Sequence, residues 1–69
     1  MTSTHDRLIH MANQIATAFH AEGEAAAIAM TADHIGKFWD PRMRAGLAAA
    51  LAGEGLGPVA RAAALRLQD

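Results

Sequence analysis

Four histidines, His5, His10, His20 and His34, are the side chains of this 69-residue chain best suited to hold a metal or move a proton. Their spacing argues against a site. His5 and His10 lie about 140° apart around a helix, and no His-x-x-x-His pair sets two imidazoles on one face. A zinc or iron centre would need distant residues to converge, so the histidines read as exposed or helix-rim side chains. The absence of cysteine excludes disulfides, thiolate ligands and a thiolate nucleophile. Ser3 sits in an N-terminal stretch expected to fray, and Thr2, Thr4, Thr17 and Thr31 stand in no motif that supplies a base. Glu22 and Glu24 flank a turn and read as solvated charge. The Gly53–Gly57 stretch is glycine-rich, but it lacks the preceding strand and the Gly-Lys-Ser/Thr ending of a phosphate loop. It reads as a turn.

One segment stands apart, Lys37-Phe38-Trp39-Asp40-Pro41-Arg42-Met43-Arg44. It contains the sole tryptophan, one of two phenylalanines and three of the six Lys and Arg residues. Trp and Arg are enriched among the residues that dominate protein–protein binding energy. Phe38 and Trp39 are adjacent, about 100° apart on a helix, so one is expected to pack inside while the other meets a partner. Arg42 and Arg44 fall in the first turn of a helix, where the dipole disfavours cations by about 0.3–1 kcal/mol each. That placement implies acceptors elsewhere. A helix–turn–helix reading on DNA would use these arginines, but the same helix continues with Ala, Gly and Leu and has nothing to read base edges. The net charge of −1 also supplies no basic field for nucleic acid.

The elements that position this segment follow from composition. Of 36 hydrophobic residues, 18 are alanine, so only 18 larger apolar side chains are available for a core. Chains below about 70–80 residues rarely draw more than about 3–5 kcal/mol from one core. This favours one small domain over residues 1–69 that gains stability from a partner, and argues against an enzyme. No apolar run approaches the roughly 20 residues of a membrane span, and no basic stretch precedes an apolar block at the N-terminus. Cytosolic residence is the default reading, and the start at Met1 without a tag reads as a whole natural protein.

Alanine, leucine and methionine richness with few β-branched residues predicts an all-α fold. Gly23, Asp40-Pro41 and the Gly53–Pro58 stretch divide it into four helical segments. The first is predicted over about Thr4–Ala21, with Ser3 and Asp6 as a capping box and an apolar stripe of Leu8, Ala12, Ile15 and Phe19. The second is predicted over about Glu24–Trp39, with Ile28, Ala32, Ile35 and Trp39 at the same offsets; together the two suggest an antiparallel helical hairpin. Asp40 caps the third, Pro41 takes its first position, and the residue before proline makes a sharp corner. Met43, Leu47, Ala50 and Leu51 form its apolar side. The fourth starts at Gly57-Pro58, and its many alanines leave it prone to fray or in need of a docking surface.

The strings His10-Met11-Ala12-Asn13-Gln14-Ile15-Ala16 and Ala32-Asp33-His34-Ile35-Gly36-Lys37-Phe38-Trp39-Asp40-Pro41-Arg42-Met43-Arg44 resemble the delta subunit of NAD-dependent, molybdenum-containing formate dehydrogenases. The spacing between them, the chain length and the closing Leu56-Gly57-Pro58…Ala63-Ala64-Leu65 segment also fit. The resemblance implies a non-catalytic accessory subunit. In such enzymes the alpha subunit carries the bis-molybdopterin guanine dinucleotide and iron–sulfur clusters, and the beta and gamma subunits carry FMN, further clusters and the NAD site. The delta subunit is associated with assembly or stability of the complex. The resemblance maps signature positions onto Met11, Asn13, Gln14, Phe38, Trp39, Asp40, Pro41, Arg42, Met43 and Arg44.

The combined expectation is an all-α domain in which Trp39 plugs the junction of the first three helices, with Ile15, Phe19 and Ile35 beneath it. Arg42 and Arg44, with Phe38 or Met43 alongside, are expected to bind the catalytic alpha subunit. No cofactor, metal, nucleic acid or membrane is expected as a ligand of this chain. Two rival readings are a transient assembly chaperone for that subunit and a homo-oligomeric helical protein unrelated to formate.

Overall fold

A computed structural model describes residues 3–68; Thr2, weighed above as a nucleophile, lies outside them. The described residues form four α-helices: α1 at Thr4–Ala18, α2 at Glu24–Phe38, α3 at Pro41–Ala50 and α4 at Pro58–Arg66, with a 3-10 turn at His20–Glu22. Among the described residues there is no strand, and no helix is long and apolar enough to cross a membrane.

Local chemistry sets the helix starts. Ser3 Oγ accepts the Asp6 N–H at 3.0 Å while the Ser3 N–H donates to the Asp6 carboxylate at 3.4 Å, closing the expected capping box. Asp40 Oδ1 accepts the Met43 N–H at 2.8 Å, with Pro41 in the first turn of α3. Gly23 enters α2 at φ +96°, a conformation costly for any residue with a Cβ.

The helix ends differ from the simple pattern. Thr17 bonds back to the Asn13 carbonyl at 2.9 Å, and α1 then tightens into the 3-10 turn, so it stops at Ala18 and not Ala21. Helix α2 ends at Phe38, and Trp39 adopts extended backbone at φ −89°, ψ 136°. This break matters, because Trp39 leaves the helical path and does not follow Phe38 by one helical step.

The tightest association is not the sequential hairpin. Helix α2 packs most extensively on α4, and α1 on α3, with α1 also meeting α2 and α4. Alanine makes this possible. Eight of the thirteen buried apolar residues among the described residues are alanines, including Ala27 on α2 and Ala60, Ala63 and Ala64 on α4. Side chains this small let helix backbones approach closely and gather dispersion contacts. Helix α4, expected to fray or to need a docking surface, is docked on α2 and α1. The large side chains concentrate in one cluster: Leu8, Ile35, Trp39, Leu47 and Leu56, with Ile9, Ile15, Met43, Leu51, Val59 and Leu67 packed against it.

Two side chains tie the long connection before α4. Asn13 Nδ2 donates to the Gly55 carbonyl and its Oδ1 accepts the Gly57 N–H, both at 2.8 Å. Arg61 donates to the carbonyls of Leu51 and Gly53, each at 3.0 Å. Gly55 takes φ +113°, which strains any residue with a Cβ, and a Cβ there would also press on Ile9 Cγ2 at 3.2 Å.

Candidate partner-binding surface

The corner between α2 and α3 sorts its residues into those that build the fold and those left outside. Trp39 is 5% exposed and belongs to the core cluster. It plugs the helix junction as expected, with Ile35 and Ile15 in the same cluster. Phe19 is not beneath it. That ring, on the C-cap residue of α1, instead stands 6.5 Å from His34 in an edge-on arrangement.

Arg44, expected to reach a partner, finds its acceptor within the chain. Its Nη1 donates to the Gly36 carbonyl at 3.1 Å, near the C-terminal end of α2 where the dipole favours a cation. The placement that looked costly on α3 is offset by a favourable one on α2. Asp40 and Pro41 define the start of α3, and Asn13 holds the Gly55–Gly57 turn. Five of the ten signature residues thus perform structural tasks within the monomer.

The others face outward in varying degree. Phe38 is 72% exposed, the most exposed large apolar side chain among the described residues. Met11 is 39% exposed. Gln14 and Arg42 are exposed, and Met43 is half-buried against the core. Met11 and Gln14 lie on α1; Gln14 borders a shallow groove with His10 and Thr17, apart from Phe38 and Arg42.

Phe38 is not isolated. Its ring centroid lies 4.8 Å from that of His34, tilted by 45°. Phe19, Met30, His34 and Phe38 line an open groove of about 450 Å³, with Asp33 and Lys37 along its edge. Asp33 and Lys37 pair at 3.0 Å and are both largely exposed. Met30 and Phe19 were not singled out as surface residues by their types. The signal that finds the row is the four-residue spacing of Met30, His34 and Phe38, which aligns them along one side of α2. An exposed row of this kind, bordered by charge, is the form of a protein-docking face.

The histidines do not assemble. His5, His10 and His20 are exposed and His34 is half-buried between the two phenylalanines. Among the described residues no three His, Cys, Asp or Glu side chains converge as a metal site would require.

Neither the curated proteins nor the solved structures yield a match. The family described as NADH-dependent formate dehydrogenase delta subunit FdsD matches residues 7–64, a span that takes in α2, α3, the groove beside Phe38 and most of α1 and α4. Since that match covers well over half of the 69 residues, and both signature strings fall inside it, the chain belongs to the FdsD family of formate dehydrogenase delta subunits.

Proposed function

We propose that this chain is a non-catalytic accessory subunit that binds the molybdenum-containing alpha subunit of formate dehydrogenase and assists assembly or stability of the active complex. The observation that carries this reading is the opposite fate of two adjacent aromatics. Trp39 is 5% exposed and Phe38 is 72% exposed, within the most distinctive string of the family resemblance. Burying Phe38 would recover about 2–3 kcal/mol of hydrophobic free energy that the monomer forgoes. The groove it forms with His34, Met30 and Phe19 offers a surface on which to do so.

The mechanism is mass action. A chain that binds the loaded, folded form of a larger subunit more tightly than its other forms stabilises that form by the difference in affinity. Nothing in this requires chemistry on the small subunit.

The test is co-expression of Phe38→Asp with the catalytic subunit. The variant is expected to fold, since Phe38 is exposed, yet to fail to co-purify, with a fall in formate-dependent NAD reduction. Stoichiometric co-purification of the variant would remove the aromatic face from the interface. Unchanged activity in the absence of the chain altogether would remove the accessory role.

A further inference from the structure

A second groove lies where the first turn of α1 meets the first half of α3. It encloses about 370 Å³ and is lined by Thr4, His5, Leu8, Arg42, Met43 and Gly46. Its floor is aliphatic, with Leu8 buried and Met43 half-buried. Gly46 lets Leu8 pack close against α3, because a Cβ there would come within 2.5 Å of Leu8 Cδ1 and 3.7 Å of His5 Cδ2.

The rim differs in kind. Arg42 and His5 are exposed on it, and among the described residues no carboxylate lines the groove. The nearest acids in sequence are committed to helix caps: Asp6 accepts the Ser3 N–H and Asp40 accepts the Met43 N–H. Arg42 has no ion-pair partner among the described residues. Thr4, His5, Arg42 and Met43 also belong to the first turns of α1 and α3, where the helix dipoles favour negative charge.

We infer that this groove receives an acidic, apolar segment of the partner polypeptide, with an aliphatic side chain over Leu8, Met43 and Gly46 and a carboxylate on Arg42. The planar guanidinium matches a carboxylate through two parallel hydrogen bonds. A second copy of this chain supplies such a segment poorly. Among the described residues no acid has an exposed Leu or Ile within two positions: Leu8, Ile35 and Leu56, beside Asp6, Asp33 and Glu54, are all buried. The inference rests on the accessory-subunit reading and adds the chemistry of what is recognised.

The experiment uses the full chain, labelled with nitrogen-15, titrated with short overlapping peptides of the alpha subunit. Peptides that place Glu or Asp beside Leu or Ile are expected to shift the amides of Met43 and Gly46. Replacing the peptide carboxylate by an amide, or Arg42→Gln with helicity unchanged, is expected to weaken binding about tenfold. The peptide replacement leaves this chain untouched, so its result stands even where the arginine variant misfolds. Shifts confined to His34 and Phe38, binding indifferent to both replacements, or no shift at Gly46 with any peptide would overturn the inference. Shifts at Gly46 on concentrating the chain alone would assign the groove to a second copy and also overturn it. Co-purification of the intact chain with the alpha subunit is measured in parallel. An intact complex with a silent groove refutes only this inference, whereas a missing complex refutes the subunit reading itself.

Discussion

Asn13 and Gly57, forty-four positions apart, are joined by a 2.8 Å hydrogen bond from the glycine N–H to the amide oxygen. The amide nitrogen of the same side chain donates to Gly55 at 2.8 Å. One asparagine on α1 therefore fixes the turn that launches α4, a helix whose own alanines provide little anchoring area. Asn13→Ala leaves the part-buried Gly57 N–H unmet and frees the exposed Gly55 carbonyl to water, and should destabilise the domain by about 1–2 kcal/mol. Denaturant titration measures the loss, and amide exchange should quicken first along α4. Asn13→Asp keeps the acceptor for Gly57 but loses the donor to Gly55, so an intermediate effect is expected.

Arg42 and Arg44 share a helix turn but not a role. Arg44→Ala removes the bond to the Gly36 carbonyl and is expected to cost about 1–2 kcal/mol. Arg42→Ala removes an exposed first-turn cation and should leave stability within about 0.5 kcal/mol, or raise it slightly. Thermal unfolding of the two single variants separates them. Equal destabilisation by both would contradict the division of labour at the corner.

Trp39 and Phe38 should separate just as sharply. Trp39→Ala empties the helix junction at a cost of about 3–5 kcal/mol, comparable to the whole stability of a domain this small. Its far-ultraviolet circular dichroism should report an unfolded chain. Phe38→Ala should change stability by no more than about 0.5 kcal/mol. Because Trp39 is the sole tryptophan, its blue-shifted emission should persist in the Phe38 variant as a direct check that the core is intact.

Thr31 presents the opposite case, a residue whose replacement should help. It is fully buried on α2, and its hydroxyl has no hydrogen-bond partner. Thr31→Val keeps the shape and removes the unmet polar group, so a gain of about 1 kcal/mol is expected. In a domain of this length that corresponds to a rise of about 4–8 °C in melting temperature, readable by calorimetry. A fall would mean that the hydroxyl is satisfied in solution.

The candidate site was legible in part. The Lys37–Arg44 string announced itself by composition, and the divergence of its two aromatics followed from helical geometry. Trp39 was also expected inside, and it is buried; how it gets there was not legible, because it depends on Trp39 leaving the helix at the Asp40-Pro41 corner. Phe19 was placed beneath Trp39 by its stripe, but it caps the C-terminal end of α1 and meets His34 there.

What the residues alone determined is local: the helical class, the capping box at Ser3, the Asp40-Pro41 start of α3, the glycine breaks and the family signature. Each depends on groups a few positions apart, whose geometry the backbone dictates. What only the folded chain decided is pairwise and distant: α2 against α4, Asn13 on the Gly55–Gly57 turn, Arg44 on Gly36, and Phe38 left in solvent beside His34. The physical reason is the alanine content. Faces so uniformly small carry little periodic contrast to reveal which side is buried, and their packing is settled by how closely the helix backbones can approach in three dimensions.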